Sequence, residues 1–394
     1  MSQPPLRIGF LDSWLQDSAG GSGTAVAIGG LAAALIARGH SVERIVPRGG
    51  RPRMLLLRRL WFNLTLPARL RESGQTPPYD LLVGFDIDGF RIAHRSPVPY
   101  VCSIKGVLAE EARCERGWPR LMLRSLALLE RCNARRAPLV LSTSAYCRER
   151  ITAHYGVPES RLRVVSEGID AAGWQPLPPA AGTASPTTAF LAGGDPARPA
   201  APDAGDPPEP LTVLCVARQY PRKRVADLIA AFPMVLAGCA QARLVVIGDG
   251  PEHGALRAQV QALALGDAVQ LLGALPSDQE VRAWYRRAAV FCLPSIQEGF
   301  GIVFLEAMAT GLPVVSTTAT AIPEVVPHGR AGLLVPPRDP EALAAALLTL
   351  LRDRPFRDRC GSFGRQHARS FSWDRVAAAF LAAVEPLLEK RASP

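Results

Sequence analysis

Two carboxylates and two cations are the residues in this chain whose types and spacing could do chemistry. The segment Pro294-Ser-Ile-Gln-Glu298-Gly-Phe-Gly301-Ile-Val-Phe-Leu-Glu306 follows an apolar run, Ala289–Leu293, that reads as a buried strand. On one continuous helix, eight steps of ~100° would set the two acids ~80° apart, and Gly299 and Gly301 would weaken that helix. The better expectation is strand, tight loop, helix, with Glu298 in the loop and Glu306 in an early helical turn. Both carboxylates could then sit near the free amides of a helix N-terminus, which attracts anions and hydroxyl-rich ligands. A carboxylate there can accept from two sugar hydroxyls. The simpler alternative is a helix cap at Glu298 and a solvated helix face at Glu306.

The cations follow another predicted strand, Leu211–Ala217, in Arg218-Gln-Tyr-Pro-Arg-Lys223. Arg offers a planar fork and Lys a mobile point charge, a pair suited to clamping a diphosphate. Neutralising a departing diphosphate in this way replaces work that another enzyme might give to Mg²⁺. A solvated basic turn is the competing reading, and it is the expected one for Arg222 and Arg224. Strand Arg243–Ile247 runs into Gly248-Asp-Gly250-Pro-Glu-His-Gly254. That spacing is one residue too long for a dinucleotide fingerprint, so a glycine turn that admits a nucleotide close to the sheet fits better. The loop Asp17-Ser-Ala-Gly-Gly-Ser-Gly-Thr24 lacks the Lys of a triphosphate-binding loop. It could still bring a ligand to a helix N-terminus, or be only a tight turn.

These positions need a scaffold, and the chain alternates strand and helix through most of its 394 residues. Strands are expected at Leu6–Leu11, Ser41–Val46, Asp80–Phe85, Pro99–Lys105, Leu139–Ser144 and Leu162–Ile169. A second series covers Leu211–Ala217, Arg243–Ile247, Val269–Leu272, Ala289–Leu293, Pro313–Ser316 and Gly332–Val335. Helices are expected at Met54–Arg71, Val107–Arg136, Pro276–Arg287, Pro340–Arg352 and Ser372–Lys390. Val, Leu and Ile fill most strand positions, as in parallel strands covered on both faces. Between the two series, Ala, Pro and Gly supply 26 of the 40 residues from 171 to 210. Such a stretch lacks the apolar bulk for a core and reads as a linker or disordered insertion. The fold class is therefore α/β: a first domain over 1–170, the insertion 171–210, a second domain over 211–371, and a closing helix in 372–394. In doubly wound sheets, ligands bind beyond the carboxyl ends of the strands.

The net charge of +10 sits almost wholly in the first half, where residues 1–170 hold 24 Lys and Arg against 15 Asp and Glu. The basic residues are nearly all Arg and scattered, which disfavours nucleic acid; an anionic membrane or an acidic substrate remains open. Helix Met54–Arg71 mixes Leu, Trp61 and Phe62 with Arg53, Arg58, Arg59, Arg69 and Arg71, and could rest on an anionic bilayer or simply pack on the sheet. The eight Cys show no metal-ligand spacing, so reduced thiols in a cytoplasmic protein are expected. No apolar run is long enough to cross a membrane, and no secretion signal is expected at Met1-Ser-Gln-Pro-Pro, which runs directly into a predicted strand.

Arg218 with Lys223, Gly248-Asp-Gly-Pro251, Pro294–Glu306, and Gly311-Leu-Pro-Val-Val315 followed by Glu324 occur in this order in retaining glycosyltransferases of family 4. The chain resembles that family outside 171–210. The resemblance implies the GT-B fold, two doubly wound Rossmann-like domains facing each other across a cleft. It implies transfer of a sugar from a nucleotide-sugar, with UDP or GDP expected, to a glycan, lipid-linked or small-molecule acceptor. Retention of configuration and independence of metal or other cofactors are implied as well, in a cytoplasmic enzyme of cell-surface polysaccharide synthesis. By the resemblance, Arg218 and Lys223 hold the diphosphate, and Glu298 contacts the donor sugar, helped by the amides of Phe300 and Gly301. Glu306 would bind the ribose, Gly21 would lie near the phosphates, and the segment around Leu272 near the base. Many members carry a His where this chain has Lys105, and Pro-Asn-Gly where it has Ser166-Glu167-Gly168. Lys105 then takes the place near the reacting sugar, while Glu167 has no assigned role. A sugar-nucleotide-binding protein without catalysis, or another GT-B enzyme such as an epimerase or phosphorylase, is the alternative.

Overall fold

The computed structural model of the chain describes residues 4–14, 23–47, 55–72, 79–174 and 211–392. The chain forms two compact units. The first comprises Met1–Ile169, Gln297–Ile302 and Phe371–Pro394; the second comprises Asp170–Ile296 and Val303–Ser370. Most of the 171–210 insertion and the Gly20-Gly21 loop, with Gly21, lie outside the described residues.

The first unit is a parallel sheet in the order β2-β1-β3-β4-β5-β6. Its strands are β1 (Arg7–Leu11), β2 (Ser41–Ile45), β3 (Leu81–Phe85), β4 (Tyr100–Ile104), β5 (Leu139–Ser142) and β6 (Leu162–Val164). Strands β3, β4 and β5 are buried along their whole length, which is why their sequences are continuous apolar runs. Helix α1 (Gly23–Ala37) covers one face, together with the closing helix α13 (Trp373–Ala392). Ile28, Leu31 and Leu35 of α1 join Val376, Phe380 and Val384 of α13 in one core with Phe10, Val83 and Val101. Gly30 is required there, because a Cβ on it would come within 2.1 Å of the Trp373 ring.

On the other side lie α2 (Leu55–Glu72), α3 (Leu108–Cys114), α4 (Gly117–Arg136) and α5 (Ala145–Tyr155). The expected single helix 107–136 is two helices. Gly117 takes a left-handed φ of +58°, and Pro119 has no amide to continue the ladder. The sixth strand is also shorter than expected, since the chain leaves the sheet after Val164 and makes only an isolated bridge from Ile169 to Ser372. Helix α2 packs Phe62 and Leu66 on the sheet, as one of the two expectations had it, but it also buries Arg58 and Arg59 and turns Leu57, Trp61 and Leu64 outward.

The second unit is also a parallel sheet, in the order β12-β11-β10-β7-β8-β9. Its strands are β7 (Thr212–Val216), β8 (Arg243–Ile247), β9 (Val269–Gly273), β10 (Val290–Cys292), β11 (Val314–Thr317) and β12 (Gly332–Val335). The helices are α6 (Val225–Gly238), α7 (His253–Ala262), α8 (Asp278–Arg287), α9 (Ile302–Thr310), α10 (Ile322–Val325), α11 (Pro340–Arg352) and α12 (Arg354–Ala368). In each sheet the strand order reverses once, beside β1 and β3 in the first and beside β7 and β10 in the second. Those reversals open the crevices in which doubly wound folds bind ligands.

Candidate active site

In the second unit the predicted cations emerge at the reversal point. Ala217 directly follows β7, Arg218 is exposed, and a single turn over Pro221–Lys223 leads into α6. The turn is fixed by its carbonyls and rings more than by solvent. The Arg222 carbonyl accepts from Ile296 N at 2.9 Å and from Ser295 Oγ at 3.1 Å, tying the loop after β7 to the loop after β10. The Ser295 carbonyl in turn accepts from Thr317 Oγ1 at 2.6 Å. Arg222 lies 4.8 Å over the Tyr220 ring, and Arg218 lies 5.8 Å from it. Arg224 takes a left-handed φ of +53°, and its Nε donates to Asp227 at 2.8 Å. Arg222 and Arg224 are half-exposed, as a basic turn would have them, and are also anchored, Arg222 over the Tyr220 ring and Arg224 on Asp227.

Gly248 follows β8 with φ +118°, and a Cβ there would come within 2.1 Å of the Ala217 carbonyl oxygen. Only glycine lets the two loops approach this closely. The buried Gln219 seals the junction. Its amide N–H donates to Asp249 O at 3.0 Å, its side chain donates to Gly248 O at 2.6 Å, and His253 lies 2.9 Å from its Oε1. Leu272 is half-buried on the neighbouring β9, whose Gly273 carbonyl accepts from Gly248 N at 2.7 Å. Arg218, Lys223, Gly248 and Leu272 are thus gathered at the carboxyl edge of adjacent strands.

Glu306 is the fifth residue of α9. Tyr285 OH, from α8, donates to its carboxylate at 3.0 Å. Tyr285 is itself fully buried, stacked 5.5 Å from Phe291 and edge-on to Trp174 at 5.1 Å. Burial pushes the Glu306 carboxyl up to about 7, and the Tyr285 hydrogen bond holds it from rising further. Burial raises the Cys215 thiol of β7 against the pull of the Lys223 ammonium, and burial, then the Glu306 carboxylate, raises the Tyr285 hydroxyl.

Glu298, Phe300 and Gly301 belong to the stretch Gln297–Ile302, which packs on the first unit. Three side chains aim at one carbonyl to hold it: Thr143 Oγ1 at 2.9 Å, Ser144 Oγ at 2.8 Å and Cys147 Sγ at 3.3 Å from Gly299 O. A Cβ on Gly299 would stand 2.7 Å from the Lys105 carbonyl oxygen, so the backbones of Lys105 and the Glu298 loop touch. Glu298 is buried, and Phe300 meets Phe371 edge-on at 5.7 Å. Gly301 takes φ +93° just before α9 begins.

The sequence of the chain matches the model of the family described as glycosyl transferases group 1 over residues 210–353, and that of Glycosyltransferase Family 4 over residues 21–172. It is 30% identical over 295 residues to the GDP-mannose-dependent alpha-(1-6)-phosphatidylinositol monomannoside mannosyltransferase of Mycobacterium tuberculosis, covering 73% of this chain and 71% of that one. The chain belongs to glycosyltransferase family 4. This family-4 chain is also 31% identical over 284 residues to a glycogen synthase of M. tuberculosis, covering 72% of this chain and 62% of the other. Among solved structures it resembles the sucrose-phosphate synthase of Thermosynechococcus elongatus, with a TM-score of 0.75 at 20% identity over 98% of this chain and all of that one. WaaG, a glycosyltransferase involved in lipopolysaccharide biosynthesis, gives 0.69 at 19% identity, covering 96% of this chain and 99% of that one. The fold is GT-B, with two Rossmann-like domains, and the enzyme class is hexosyltransferase.

The first unit of this glycosyltransferase also holds a polar network that residue spacing did not reveal. It fills the reversal point beside β1 and β3. Asp88 accepts from Ser13 N at 2.9 Å, Ser13 Oγ at 2.7 Å and Asn63 Nδ2 at 2.9 Å. Asp86 accepts from Lys105 N at 2.9 Å and from Trp14 Nε1 at 3.2 Å. Arg59 stands 3.7 Å from Asp86 and 3.8 Å from Asp88, with Trp14 stacked 4.4 Å beneath it. Arg58 donates to Ser13 O at 2.7 Å. Burial raises the Asp86 carboxyl to about 6 against the pull of Arg59. Asp86 also has a left-handed φ of +55°, a strained backbone that points its carboxylate at the Lys105 amide. The sequence signal was available: an Asp-Ile-Asp directly after a buried strand.

Proposed function

We propose that the chain is a retaining, metal-independent hexosyltransferase that takes a UDP- or GDP-sugar as donor and a lipid-linked glycan as acceptor. The observation that carries this reading is the position of Arg218 and Lys223 at the reversal beside β7 and β10, bound through the Arg222 carbonyl to the loop that leads to Glu298. When the glycosidic bond breaks, its electron pair goes to the diphosphate, and the two cations neutralise the charge that develops there. Glu306, braced by Tyr285, accepts from the ribose hydroxyls. Glu298, set on the clamped Gly299 loop, accepts from hydroxyls of the transferred sugar, and the Phe300 and Gly301 amides assist. Lys105 faces the same sugar. The two cations do the neutralising that a metal would otherwise do, which supports metal independence.

The donor assignment draws on relatives. The mycobacterial relative is named for its dependence on GDP-mannose, and a GT-B neighbour, HepE of Anabaena, is a structure in complex with UDP-glucose, with a TM-score of 0.66 at 19% identity. The acceptor assignment rests on the surface of the first unit. No helix among the described residues is long and apolar enough to cross a membrane. Leu57, Trp61 and Leu64 of α2 nevertheless fall within ~60° on one exposed helical face. Trp118, Leu121 and Leu128 of α4 form a second exposed stripe, with Arg124 and Arg131 exposed beside it. Leu56 of α2 packs on the cluster that contains Leu126 of α4, so the two stripes belong to neighbouring helices. Apolar side chains rimmed by Arg suit an anionic bilayer surface, where lipid-linked acceptors lie.

The test is product analysis. Incubation with a UDP- and GDP-sugar panel and a lipid-linked acceptor pool, with chelator present, is expected to give one glycosylated product. Proton NMR of its anomeric centre should show the donor's configuration. An inverted product, or binding of nucleotide-sugars without turnover, contradicts the proposal.

A further inference from the structure

Helix α8 presents more to Glu306 than the Tyr285 hydroxyl. Asp278, Arg282 and Tyr285 are spaced by four and three residues, so they share one helical face. Arg282 is held by the turn Ala171–Trp174. Its guanidinium lies 5.0 Å over the Trp174 ring, and its Nη1 donates to Gly173 O at 3.2 Å. Gly173 sits between that nitrogen and Asp170: a Cβ on it would stand 3.4 Å from the one and 2.9 Å from Asp170 Oδ2. Trp174 meets Tyr285 edge-on at 5.1 Å, and Tyr285 reaches Glu306 at 3.0 Å. Arg282, Trp174, Tyr285 and Glu306 thus form one cluster, all of it inside the second unit.

Glu306 as a residue is half-buried, and the oxygen that Tyr285 does not occupy keeps exposed surface that a ligand can reach. The burial that raises this carboxyl favours its neutral form. Neutral, the group offers one donor and fewer acceptor sites; charged, it is acceptor only, as two ribose hydroxyls require. Two charges on α8 act on that balance. Arg282 favours the carboxylate, and Asp278 opposes it. Hydrogen bonding alone does not account for a guanidinium at this place. Any donor could meet Gly173 O, and the Arg282 Nε–H is buried with no acceptor among the described residues. The charge is what the other side chains could not supply.

We propose that Arg282 is a positioning residue for donor binding: held by Trp174 and Gly173, it acts through Glu306 and keeps that carboxylate charged, so that it accepts the ribose hydroxyls of a nucleotide-sugar at neutral pH. Asp278 on the same face works against it. This rests on the glycosyltransferase reading above, in which Glu306 meets the ribose. It adds the residue that sets the pH range of that contact and the turn that holds the residue in place.

The experiment follows Glu306 in two ways on the full chain, in wild type, Arg282→Gln, Arg282→Lys and Asp278→Asn. Thermal melts across pH, each taken against the same variant carrying Glu306→Gln, report its ionisation without ligand. Calorimetry with UDP-glucose and GDP-mannose across the same range reports its use. Losing an opposite charge a few ångströms away moves a carboxyl up by about one pH unit. In Arg282→Gln the pH below which affinity falls should therefore rise by about one unit, which lowers affinity at pH 7 by about fivefold and leaves it at the wild-type value two units higher. Asp278→Asn should move that pH down. Arg282→Lys keeps the charge and should stay near wild type. An unmoved midpoint in Arg282→Gln overturns the proposal, as does Arg282→Lys behaving like Arg282→Gln. An affinity lowered equally at every pH also overturns it, because Arg282 would then act through the fold or on the ligand itself. So does a wild-type affinity that is flat across pH, since the carboxylate charge would then not be used. If Arg282→Gln melts early, Asp278→Asn at an exposed residue carries the same test, and a midpoint that fails to fall overturns the proposal. A wild type that binds neither nucleotide-sugar while the melts shift as expected instead removes the glycosyltransferase reading on which the proposal stands.

Discussion

Glu306→Gln is the substitution whose effect can be worked most fully from the structure. The carboxyl moves from an ordinary 4.5 to about 7 on folding, chiefly by burial. A raised folded value means that the native state keeps its proton while the unfolded chain loses it. Below pH 4.5 both states are protonated and the group costs nothing. Between pH 4.5 and 7 the native state becomes progressively less stable, and above 7 the full cost is present. At 1.36 kcal/mol per pH unit, the cost approaches about 3 kcal/mol. Gln cannot ionise, fills the same space and can still accept from Tyr285 OH. Relative to wild type, Glu306→Gln should therefore gain stability steadily from pH 4.5 to 7 and then level off. Thermal melts across pH 4 to 8 read this as a difference of several degrees. The same ionisation governs ligand affinity: if ribose hydroxyls donate to the carboxylate, wild-type nucleotide affinity falls as pH drops below about 7, and the variant's does not. A stability difference that stays flat from pH 5 to 8 refutes the reasoning, because Glu306 would then not be desolvated.

Three other outcomes are expected. Glu298→Ala and Lys223→Ala should each lower turnover by roughly a hundredfold or more with melting temperature held, as for removal of a group that meets charge in the transition state; steady-state kinetics and thermal melts decide. Gly30→Ala forces a methyl into the Trp373 ring and should cost about 1–3 kcal/mol, read as an earlier melt, with Gly29→Ala as the unaffected control because nothing lies within 4 Å of a Cβ there. Trp61→Glu with Trp118→Glu, at residues 53% and 70% exposed, should abolish sedimentation with anionic vesicles at low salt and leave folding intact. Equal sedimentation of wild type and variant rules out these helices as the membrane contact.

Both sheets were legible from sequence because their strands are continuous Val, Leu and Ile runs punctuated by glycine turns, and burial on both faces demands that composition. The loop position of Glu298 and the helical position of Glu306 followed from glycines that break a helix. What was not legible depends on partners far apart in the chain. Nothing local to Glu167 announces its ion pair with Lys105, 3.0 Å away and in another strand connection. Tyr285 could be recognised as the brace of Glu306 only after α8 and α9 were placed. Arg58 and Arg59 read as the wet side of a basic helix. They turn inward because Asp86 and Asp88, on a different element, supply the charge that makes their burial tolerable. Gln219, which no motif singles out, binds the Gly248 loop through both backbone and side chain.

The central claim is that Arg218 and Lys223 hold the donor diphosphate, and calorimetry of Arg218→Ala with Lys223→Ala against wild type tests it most directly. Titrated with UDP-glucose and GDP-mannose, wild type is expected to bind one of them, and the double variant to bind it at least about a hundredfold more weakly with an unchanged melting temperature. Equal affinity in wild type and variant would show that the diphosphate is held elsewhere and that the assignment of this turn is wrong.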